Sequence, residues 1–475
     1  MLRYFFTKLT QNIRLRAMAL TVDDIIMATG GEVLTKGPET FMGVSIDSRT
    51  IGDGEIFFAI KGERFDGHTF LNDALARGSG AVVGLRPESL PQGKAVILVK
   101  DTLKALQDLA YFKRMKLDIP VVAVTGSNGK TTTKEMAYAI LSKRFRSLKN
   151  EGNLNNHIGL PLSLIRLDHD HEAVVLEMGM NALGEIRRLC DIAVPTHGII
   201  TNIGAAHLGR LGSYSAVRDA KLEILHGLNI AIVNADDRFL IEGIDEAETF
   251  NGDVITFSIN NESQVRARGI ESSDKGSSFV LELMEMGTIP VQLPVQGIFN
   301  VYNALAAAAA GYSLGVSPEE IKAALESFSP CSMRFTINKV DGITMIDDSY
   351  NANPSSMEAS VKELIRMGSG GRSVAVLGDM RELDEFAEQA HRDLGKMIAE
   401  YGVNIFIAVG EMMSLAAEAC ISTKSTGSKT EVYSFRDSEE ANRNIMDILK
   451  QGDIVLIKGS RSTHMDKVAA RIRGR

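Results

Sequence analysis

The chain has 475 residues, with 52 basic residues against 60 acidic residues and a formal net charge of −8. This length suits roughly three domains of about 150 residues each, and the acidic balance excludes a protein that coats nucleic acid. Cys190, Cys331 and Cys420 are far apart without CxxC spacing, which indicates reduced thiols in a cytoplasmic protein. No segment reaches the roughly 18 apolar residues of a membrane span, so we expect no stable membrane insertion.

Residues 1–18 are basic with scattered apolar residues and lack the long apolar core of a signal peptide. We predict a disordered extension or an over-long start, with an amphipathic helix at a membrane surface as the alternative. Residues 19–103 then give short strands and helices with glycine-rich turns, such as SIDSR and EIFFAI. They predict a small N-terminal α/β domain.

Residues 120–134, PVVAVTGSNGKTTTK, carry the clearest functional signal. An apolar strand runs into a glycine turn, and a predicted helix begins at Lys130. Such a turn lets backbone N–H groups and the helix N-terminus bind phosphate oxygens, while Lys130 suits the terminal phosphates and Thr131 suits Mg²⁺. Val124 replaces a Walker glycine, and an ordinary glycine turn is the alternative. The predicted nucleotide-binding residues are Gly126, Ser127, Asn128, Gly129, Lys130, Thr131 and Thr132.

Residues 104–330 alternate apolar strands with helices, as in AVVLEMG, HGIITNIG and NIAIVNADD. Continuous apolar runs are typical of buried parallel strands, so we predict a central, P-loop ATPase-like domain with a mostly parallel sheet. Over residues 253–296 the pattern changes, and we expect an antiparallel addition. An alanine-rich helix follows at 299–315, and a capping box over 317–320 begins the next helix.

Residues 331–475 contain a second strand–helix series, with GITMIDDSY, SVAVLGDM, NIFIAVG and DIVLIKGS as its strands. Each strand runs into a polar or glycine-rich loop, where open α/β sheets carry their ligands. We therefore predict a C-terminal Rossmann-like α/β domain. The fold class is α/β, with three domains and sites at their junctions.

Three further residues are candidates for metal chemistry. Glu177 ends a buried run, where an unpaired carboxylate is costly, so it is either a metal ligand or the partner in a helix cap or ion pair. His207 lies in a glycine-rich loop, where a structural hydrogen bond is commoner than ligation. Lys221 lies on the predicted helix AVRDAKLEILHGL and by itself is an ordinary solvated lysine.

From about residue 20 onwards, these motifs resemble the Mur ligases, which build the peptide stem of the bacterial cell wall. That family's phosphate loop also lacks the first Walker glycine. The resemblance implies that Thr131, Glu177, His207 and Lys221 hold metal, with Lys221 carbamylated through its neutral amine. It implies catalytic roles for Lys130, His207 and Lys221.

The resemblance also implies ATP contacts. Asn300 and Asn303 match asparagines on the adenine side, and Arg334 and Asp348 match contacts to the phosphates and ribose. Residues 152–164, 347–357, 377–383 (followed by His391) and 458–465 resemble members that add D-alanyl-D-alanine. The implied substrate-binding residues in these segments are Asn155, Asn156, Tyr350, Asn351 and Asn353.

In the N-terminal domain, residues 47–49 and 62–70 resemble UDP-sugar-binding segments. They imply substrate contacts from Ser48, Arg49 and Arg64, since an arginine fork pairs well with phosphate oxygens. Asp384 departs from the family pattern, which has glycine there.

Some of these residues have plainer interpretations. Asn155 and Asn156 also suit a simple turn, and His391 suits a helix surface. Asp236 and Asp237 are better explained as turn formers than as ligands.

What the resemblance implies is an ATP-dependent, ADP-forming ligase that joins D-alanyl-D-alanine to UDP-N-acetylmuramoyl-tripeptide through an acyl phosphate. ATP and two Mg²⁺ ions are the implied cofactors, and a monomer without nucleic acid is the implied state. We expect an open cleft in the absence of ligands. The alternatives are another ligase of the Mur and folylpolyglutamate synthetase superfamily, and a non-catalytic protein that senses precursors by binding ATP.

Overall fold

The computed structural model describes residues 20–62, 65–247, 250–368, 371–423 and 430–474. The predicted N-terminal extension and Arg64 lie outside the described residues. Three large sheets and a two-stranded ribbon form the described chain. Helices cover the sheets, so the α/β class with three domains is confirmed.

The N-terminal domain contains a five-stranded sheet. Its elements are β1 (Leu20–Thr21), α1 (Val22–Thr29), β2 (Glu32–Thr35), β3 (Thr40–Phe41), β4 (Gly43–Ser45), β5 (Glu55–Phe58), α2 (Leu71–Arg77), β6 (Gly80–Val83) and β7 (Ala95–Leu98). The sheet order is β2-β7-β6-β5-β4. Only β2 runs antiparallel to its neighbour in this sheet, and β1 pairs with β3 in the separate ribbon.

The central domain begins with a helix and the strand before the phosphate loop. The elements of its first half are α3 (Thr102–Met115), β8 (Val121–Thr125), α4 (Lys130–Leu141), β9 (Ser147–Lys149), α5 (Gly159–Leu164), β10 (Ala173–Glu177), α6 (Glu185–Ala193), β11 (His197–Ile200), α7 (Leu208–Leu211) and α8 (Tyr214–Leu222). The predicted order of strand, turn and helix around residues 120–134 is therefore confirmed.

The second half of the central domain extends the same sheet. Its elements are β12 (Ile230–Asn234), α9 (Arg238–Asp245), β13 (Asp253–Ser258), β14 (Val265–Ser273), β15 (Gly276–Leu283), β16 (Gly287–Leu293), α10 (Ile298–Ser313) and α11 (Pro318–Glu326). The strand order is β16-β15-β14-β13-β12-β11-β8-β10-β9. The phosphate loop thus follows the strand at which the chain order switches sides, where open sheets leave a crevice.

The predicted antiparallel addition is correct only in part. β13 pairs in parallel with β12, and β14 in parallel with β13; the antiparallel pairs are β14–β15 and β15–β16. The capping box of α11 is present at Ser317 and Glu320. The buried alanines of α10 pack against α4, as the sequence predicts.

The C-terminal domain has a six-stranded sheet. Its elements are β17 (Thr336–Val340), β18 (Ile343–Asp348), α12 (Pro354–Met367), β19 (Ser373–Gly378), α13 (Ala387–Glu400), β20 (Ile405–Val409), α14 (Glu411–Thr423), β21 (Glu431–Phe435), α15 (Ser438–Ile448), β22 (Ile454–Lys458) and α16 (Met465–Ile472). The order is β17-β18-β22-β19-β20-β21, and only β17 is antiparallel. Among the helices described here, none is long and apolar enough to cross a membrane.

Candidate active site

The phosphate loop (residues 126–129) is held against the end of β11. Ser127 N donates to Asn202 O at 3.0 Å, and Asn128 N donates to the Asn202 side chain at 3.0 Å. The Thr201 hydroxyl donates to Asn128 O at 2.6 Å. These bonds already hold the loop in one conformation, so phosphate binding has to order little of its backbone.

Two predicted asparagines stand directly behind this loop. Gly129 has φ +83°, and a Cβ there would come within 2.2 Å of Asn303 Oδ1. Asn303 also accepts from the Thr133 hydroxyl and donates to Asn300 Oδ1, each at 3.2 Å, while Asn300 donates to Gln296 O at 2.7 Å. The pair therefore supports the start of α4 in this structure.

Lys130 lies over the phosphate loop. Its Nζ donates to Gly126 O at 2.7 Å and to Ser127 O at 3.2 Å. Burial lowers the pKa of Lys130, and the nearby Arg334 charge lowers it further, against the opposing effects of Glu177 and Glu382. An anion in the cleft would raise the pKa of this ammonium group, because a nearby opposite charge favours the ionised form.

Glu177 ends β10 beside the start of α4. Its carboxylate accepts from the Thr131 hydroxyl and from Asn155 Nδ2, both at 2.7 Å. The buried Asn150 accepts from Glu177 N at 2.9 Å and donates to Glu177 O at 3.0 Å, and Lys134 donates to Asn150 O at 2.9 Å. The carboxylate is thus fixed next to a hydroxyl, with no cation paired to it among the described side chains.

His207 and Lys221 come from the segment after β11. His207 has φ +60° and precedes α7, and its Nδ1 lies 2.8 Å from Glu382 Oε2. Lys221 on α8 is only 1% exposed. Burial, and secondly the charge of Lys130, hold the pKa of Lys221 well below its usual value. The interpretation of Lys221 as an ordinary solvated lysine is therefore wrong.

The C-terminal domain supplies the opposite wall of the cleft. The Arg334 guanidinium stacks on the Tyr350 ring at 4.0 Å. Met333 and Phe335, on either side of Arg334, have φ of +60° and +54°. Strained backbone on both sides of Arg334 costs free energy, and such strain is typical of sites where a side chain must be held in one direction.

Asp348, at the end of β18, is held from three directions. Its Oδ2 lies 2.6 Å from Lys458 Nζ and 2.8 Å from the Ser360 hydroxyl, and its Oδ1 accepts from Phe335 N at 3.1 Å. Lys458 also donates to Asn351 O at 3.1 Å. A positive side chain therefore stands beside the predicted ribose contact.

The central and C-terminal domains touch across the cleft. Asn353 Nδ2 donates to Asn128 Oδ1 at 2.8 Å, and Asn128 Nδ2 donates to the Ser355 hydroxyl at 2.9 Å. Together with the contact of His207 to Glu382, these bonds hold the two walls together. The open arrangement that we expect from sequence is not the one in this structure, because polar groups of both domains already pair.

Three family models match successive parts of the chain. They describe the Mur ligase family catalytic domain (residues 40–114), the Mur ligase middle domain (residues 124–311) and the Mur ligase glutamate ligase domain (residues 333–461). The chain is 36% identical over 430 residues to the UDP-N-acetylmuramoyl-tripeptide–D-alanyl-D-alanine ligase of Bacillus subtilis (strain 168), covering 90% of this chain and 92% of that protein. This chain belongs to the Mur ligase family.

Other comparisons agree with this assignment. The ligase of the same name from Escherichia coli (strain K12) is 36% identical over 458 residues, which cover 95% of this Mur ligase and 98% of the relative. The crystal structure of MurF from Acinetobacter baumannii has a TM-score of 0.88 at 34% identity, covering 97% and 100% of the two chains. The structure of MurF ligase from Thermotoga maritima in complex with ADP has a TM-score of 0.80 at 26% identity, covering 91% and 97%.

Most predicted residues of this Mur ligase line one cleft of about 1200 Å³. The predicted residues on its walls are Ser127, Asn128, Gly129, Lys130, Thr131, Thr132, Asn155, Asn156, Glu177, His207, Asn300, Asn303, Arg334, Asp348, Tyr350, Asn351 and Asn353. Gly126 and Lys221 are not among the wall residues; Lys221 is buried. The structure thus brings together residues of the central and C-terminal domains.

Several of these residues also have structural roles. Asn353 caps α12, accepting from Ser356 N at 2.9 Å, and Asn156 accepts from Gly159 N at 2.8 Å. Asp236 and Asp237 accept backbone N–H groups, from Ile259 and Ile203 respectively. These bonds reach residues 23 and 34 positions away, and both side chains line the cleft, so they join separate segments and are more than turn formers.

The interpretation of His391 as a helix-surface residue is wrong. His391 is fully buried and accepts from Met380 N at 3.0 Å. Its ring lies beneath the segment that follows β19, on the side of α13 that packs inward. This hydrogen bond therefore helps to hold the backbone of that segment at Met380.

Two of the three predicted UDP-sugar residues, Ser48 and Arg49, are described by the structure and do not line the cleft. Ser48 is nearly buried, whereas the Arg49 side chain is 86% exposed and paired twice with Asp47, at 2.9 and 2.7 Å. Arg64 falls outside the described residues.

Four site residues escape residue-by-residue prediction: Asn150, Asn202, Glu382 and Lys458. The last two lie within motif segments 377–383 and 458–465, but nothing in the sequence shows that they face His207 and Asp348. Within the described chain, no group of three or more His, Cys, Asp or Glu side chains forms a ready cation site. A cation here would therefore depend on a hydroxyl, a modified lysine or a phosphate for its remaining ligands.

Proposed function

We propose that this Mur ligase joins D-alanyl-D-alanine to UDP-N-acetylmuramoyl-tripeptide, with cleavage of ATP to ADP and phosphate. The observation that carries the proposal is the 36% identity to two ligases of that name over at least 90% of the chain. The cleft supports it, because a phosphate loop faces the ionisable side chains of a second domain. The ADP complex of a structural neighbour supports the nucleotide.

The reaction proceeds in two transfers. The terminal carboxylate of the tripeptide attacks the γ-phosphorus of ATP, and the bond to the β–γ bridging oxygen breaks to give ADP and an acyl phosphate. The amine of D-alanyl-D-alanine then attacks the acyl carbon, loses a proton, and displaces inorganic phosphate. Both transfers bring anions together, so positioning and positive charge dominate the catalysis.

The chain's own residues supply positioning and charge in this scheme. Lys130 and the backbone N–H groups at the N-terminus of α4 bind the β- and γ-phosphates. Arg334, held by its stack on Tyr350, contacts the phosphates from the other wall, and Asp348 contacts the ribose. The resemblance assigns Asn300 and Asn303 to the adenine side, in addition to their support of the phosphate loop. It assigns contacts with the acceptor substrates to Asn155, Asn156, Tyr350, Asn351 and Asn353.

We assign two Mg²⁺ ions to the donors that the resemblance implies. Thr131 and Glu177, whose oxygens lie 2.7 Å apart, offer the few hard oxygen ligands that Mg²⁺ takes beside phosphate. His207 and carbamylated Lys221 would hold the second ion. Bound Mg²⁺ would neutralise phosphate charge as the reacting anions approach one another.

The surroundings of Lys221 support its carbamylation. The amine is buried, has no hydrogen-bond or ion-pair partner among the described residues, and has a lowered pKa. A neutral amine adds to CO₂ and loses a proton, which leaves an anionic carbamate with two oxygen ligands. The neighbouring positive charge of Lys130 favours that anion.

The remaining parts of the proposal concern the whole chain. Residues 19–103 bind the UDP-sugar through Ser48, Arg49 and Arg64, residues 104–330 bind ATP, and residues 331–475 close over both. The enzyme acts as a monomer in the cytoplasm.

Phosphate release by the purified enzyme tests the proposal. It should require ATP, D-alanyl-D-alanine and a UDP-tripeptide together, and running diaminopimelate and lysine tripeptides separately identifies the third stem residue. Release with a folate or with a single amino acid in place of D-alanyl-D-alanine would indicate another ligase of the superfamily. ATP binding without any acceptor-dependent release would indicate a non-catalytic sensor.

A further inference from the structure

His207 of the central domain, a predicted cation ligand, contacts Glu382 of the C-terminal domain. His207 Nδ1 lies 2.8 Å from Glu382 Oε2, with the two side chains 18% and 39% exposed. Glu382 follows β19, whereas His207 follows β11. The contact therefore exists only while the two domains are together.

The backbone on both sides fixes this contact. His207 and Glu382 have φ of +60° and +66°, a region that side chains other than glycine enter at a cost. Gly209 N donates to Glu382 O at 3.3 Å, and a Cβ on Gly209 would lie 2.6 Å from Leu383 C. The two loops thus meet at backbone distance, and both side chains are aimed by strained residues.

His207 Nδ1 is buried and makes no aligned hydrogen bond among the described residues, so the 2.8 Å approach of Glu382 is an electrostatic contact. A carboxylate at this distance favours the tautomer with the proton on Nδ1, which leaves the Nε2 lone pair free for a cation. Resting on the function proposed above, we propose that Glu382 is a positioning residue for His207. It holds the ring in its ligating orientation and links the second cation site to domain closure. The central domain alone would then hold this cation weakly.

Two other contacts between these domains lie at the phosphate loop and away from His207. Asn353 and Ser355 bind Asn128 of the phosphate loop. Among the described residues of the C-terminal domain, Glu382 is the acidic residue that meets a predicted cation ligand. Ser355 therefore offers a variant that loosens closure without touching His207.

The test is to measure Mn²⁺ binding by electron paramagnetic resonance in the presence of a non-hydrolysable ATP analogue. The unaltered enzyme should bind two Mn²⁺ ions per chain. Glu382→Ala should weaken the second by about 10- to 100-fold, the range for loss of a residue that orients a ligand, and leave the first unchanged. Glu382→Gln keeps an oxygen acceptor, so its affinity for the second ion should lie between those of the unaltered enzyme and Glu382→Ala.

Two further variants make the outcome decisive. Glu385→Ala removes an exposed carboxylate three residues away and should bind both ions normally. Ser355→Ala should weaken binding of the second ion less than Glu382→Ala does, because it loosens closure but leaves Glu382 in place. Normal binding of the second ion by Glu382→Ala overturns the proposal. An equal loss of affinity for that ion in Ser355→Ala also overturns it, because Glu382 would then act only by holding the domains together.

Failure of the proposed function has a separate signature. If the unaltered enzyme binds a single Mn²⁺ ion, the two-ion arrangement is wrong and the role of Glu382 falls with it. Acceptor-dependent phosphate release would still test the ligase activity in that case.

Discussion

Lys221 combines deep burial with an ammonium group that has no counter-ion among the described residues. A buried lysine of this kind is costly as a cation and is therefore a poor structural choice. The carbamate proposed above would remove that cost and supply an anionic ligand.

We predict that Lys221→Ala lowers acceptor-dependent phosphate release by about 100-fold or more, because a charged group in a desolvated site contributes strongly to catalysis. Short carboxylic acids should restore part of the activity by occupying the vacated space as oxygen ligands. Initial rates with and without added acid provide the measurement. Lys275→Ala, at an exposed position, is the matched control, and near-normal rates in Lys221→Ala would refute the carbamate.

The sequence predicts the chemistry of individual residues better than their partners. The resemblance assigns metal roles to Thr131 and Glu177, and the structure places their oxygens side by side. It does not reveal that Asn150 clamps the backbone of Glu177 or that Lys458 pairs with Asp348. Residues 110 positions apart, as in the latter pair, meet only through sheet order, which one sequence does not encode locally.

The helices and strands follow the sequence pattern closely, because apolar runs and caps are local signals. Strand direction is less predictable: the change of pattern from residue 253 suggests antiparallel strands, yet β13 pairs in parallel with β12 and β14 in parallel with β13. Backbone conformation is also hidden wherever glycine is absent. Asp384, at the position where the family pattern has glycine, has φ +43°, so the loop keeps the glycine-like conformation with another residue.

The central strand β11 contains a group that should make stability depend on pH. His197 is 7% exposed, and burial lowers its pKa from 6.5 to about 4. Between these pH values the unfolded chain binds a proton that the folded chain does not bind. Stability should therefore fall as the pH drops from 6.5 to 4, by up to about 3 kcal/mol at roughly 1.4 kcal/mol per unit.

Urea unfolding at pH 7.5 and at pH 5, for the unaltered protein and for His197→Gln, measures this effect. The variant should lose less stability on acidification, whatever its stability at pH 7.5. His169→Gln changes a histidine whose side chain is 68% exposed and serves as the control. Equal losses in the unaltered protein and His197→Gln would show that this strand does not contribute.

At the scale of the whole molecule, the cleft is a junction that neither wall forms alone. The phosphate loop, Glu177 and His207 come from the central sheet, while Arg334, Asp348 and Glu382 come from the C-terminal domain. The three domains could be predicted from the alternating pattern of strands and helices. The closed arrangement could not, because it depends on the close approach of two loops.

Gly209 is where that approach is tightest. A Cβ there would lie 2.6 Å from Leu383 C and from Asp384 Oδ2, and 2.8 Å from Asp384 N. Since two of these atoms are backbone, Gly209→Ala has to push the C-terminal domain away from the loop that carries His207. We predict a larger radius of gyration in small-angle X-ray scattering, less compaction with an ATP analogue and UDP-tripeptide, and about tenfold slower turnover.

Gly212→Ala, on the same loop, is the control for this effect. Gly212 has φ +77°, and a Cβ added there would meet no atom within 4 Å. Alanine at this position therefore strains the backbone by about 1 kcal/mol without touching the other domain. It should lower the unfolding temperature but leave the scattering curve unchanged. If Gly209→Ala scatters and turns over like the unaltered enzyme, closure does not pass through this contact, and the walls must be held by Asn128 and its partners alone.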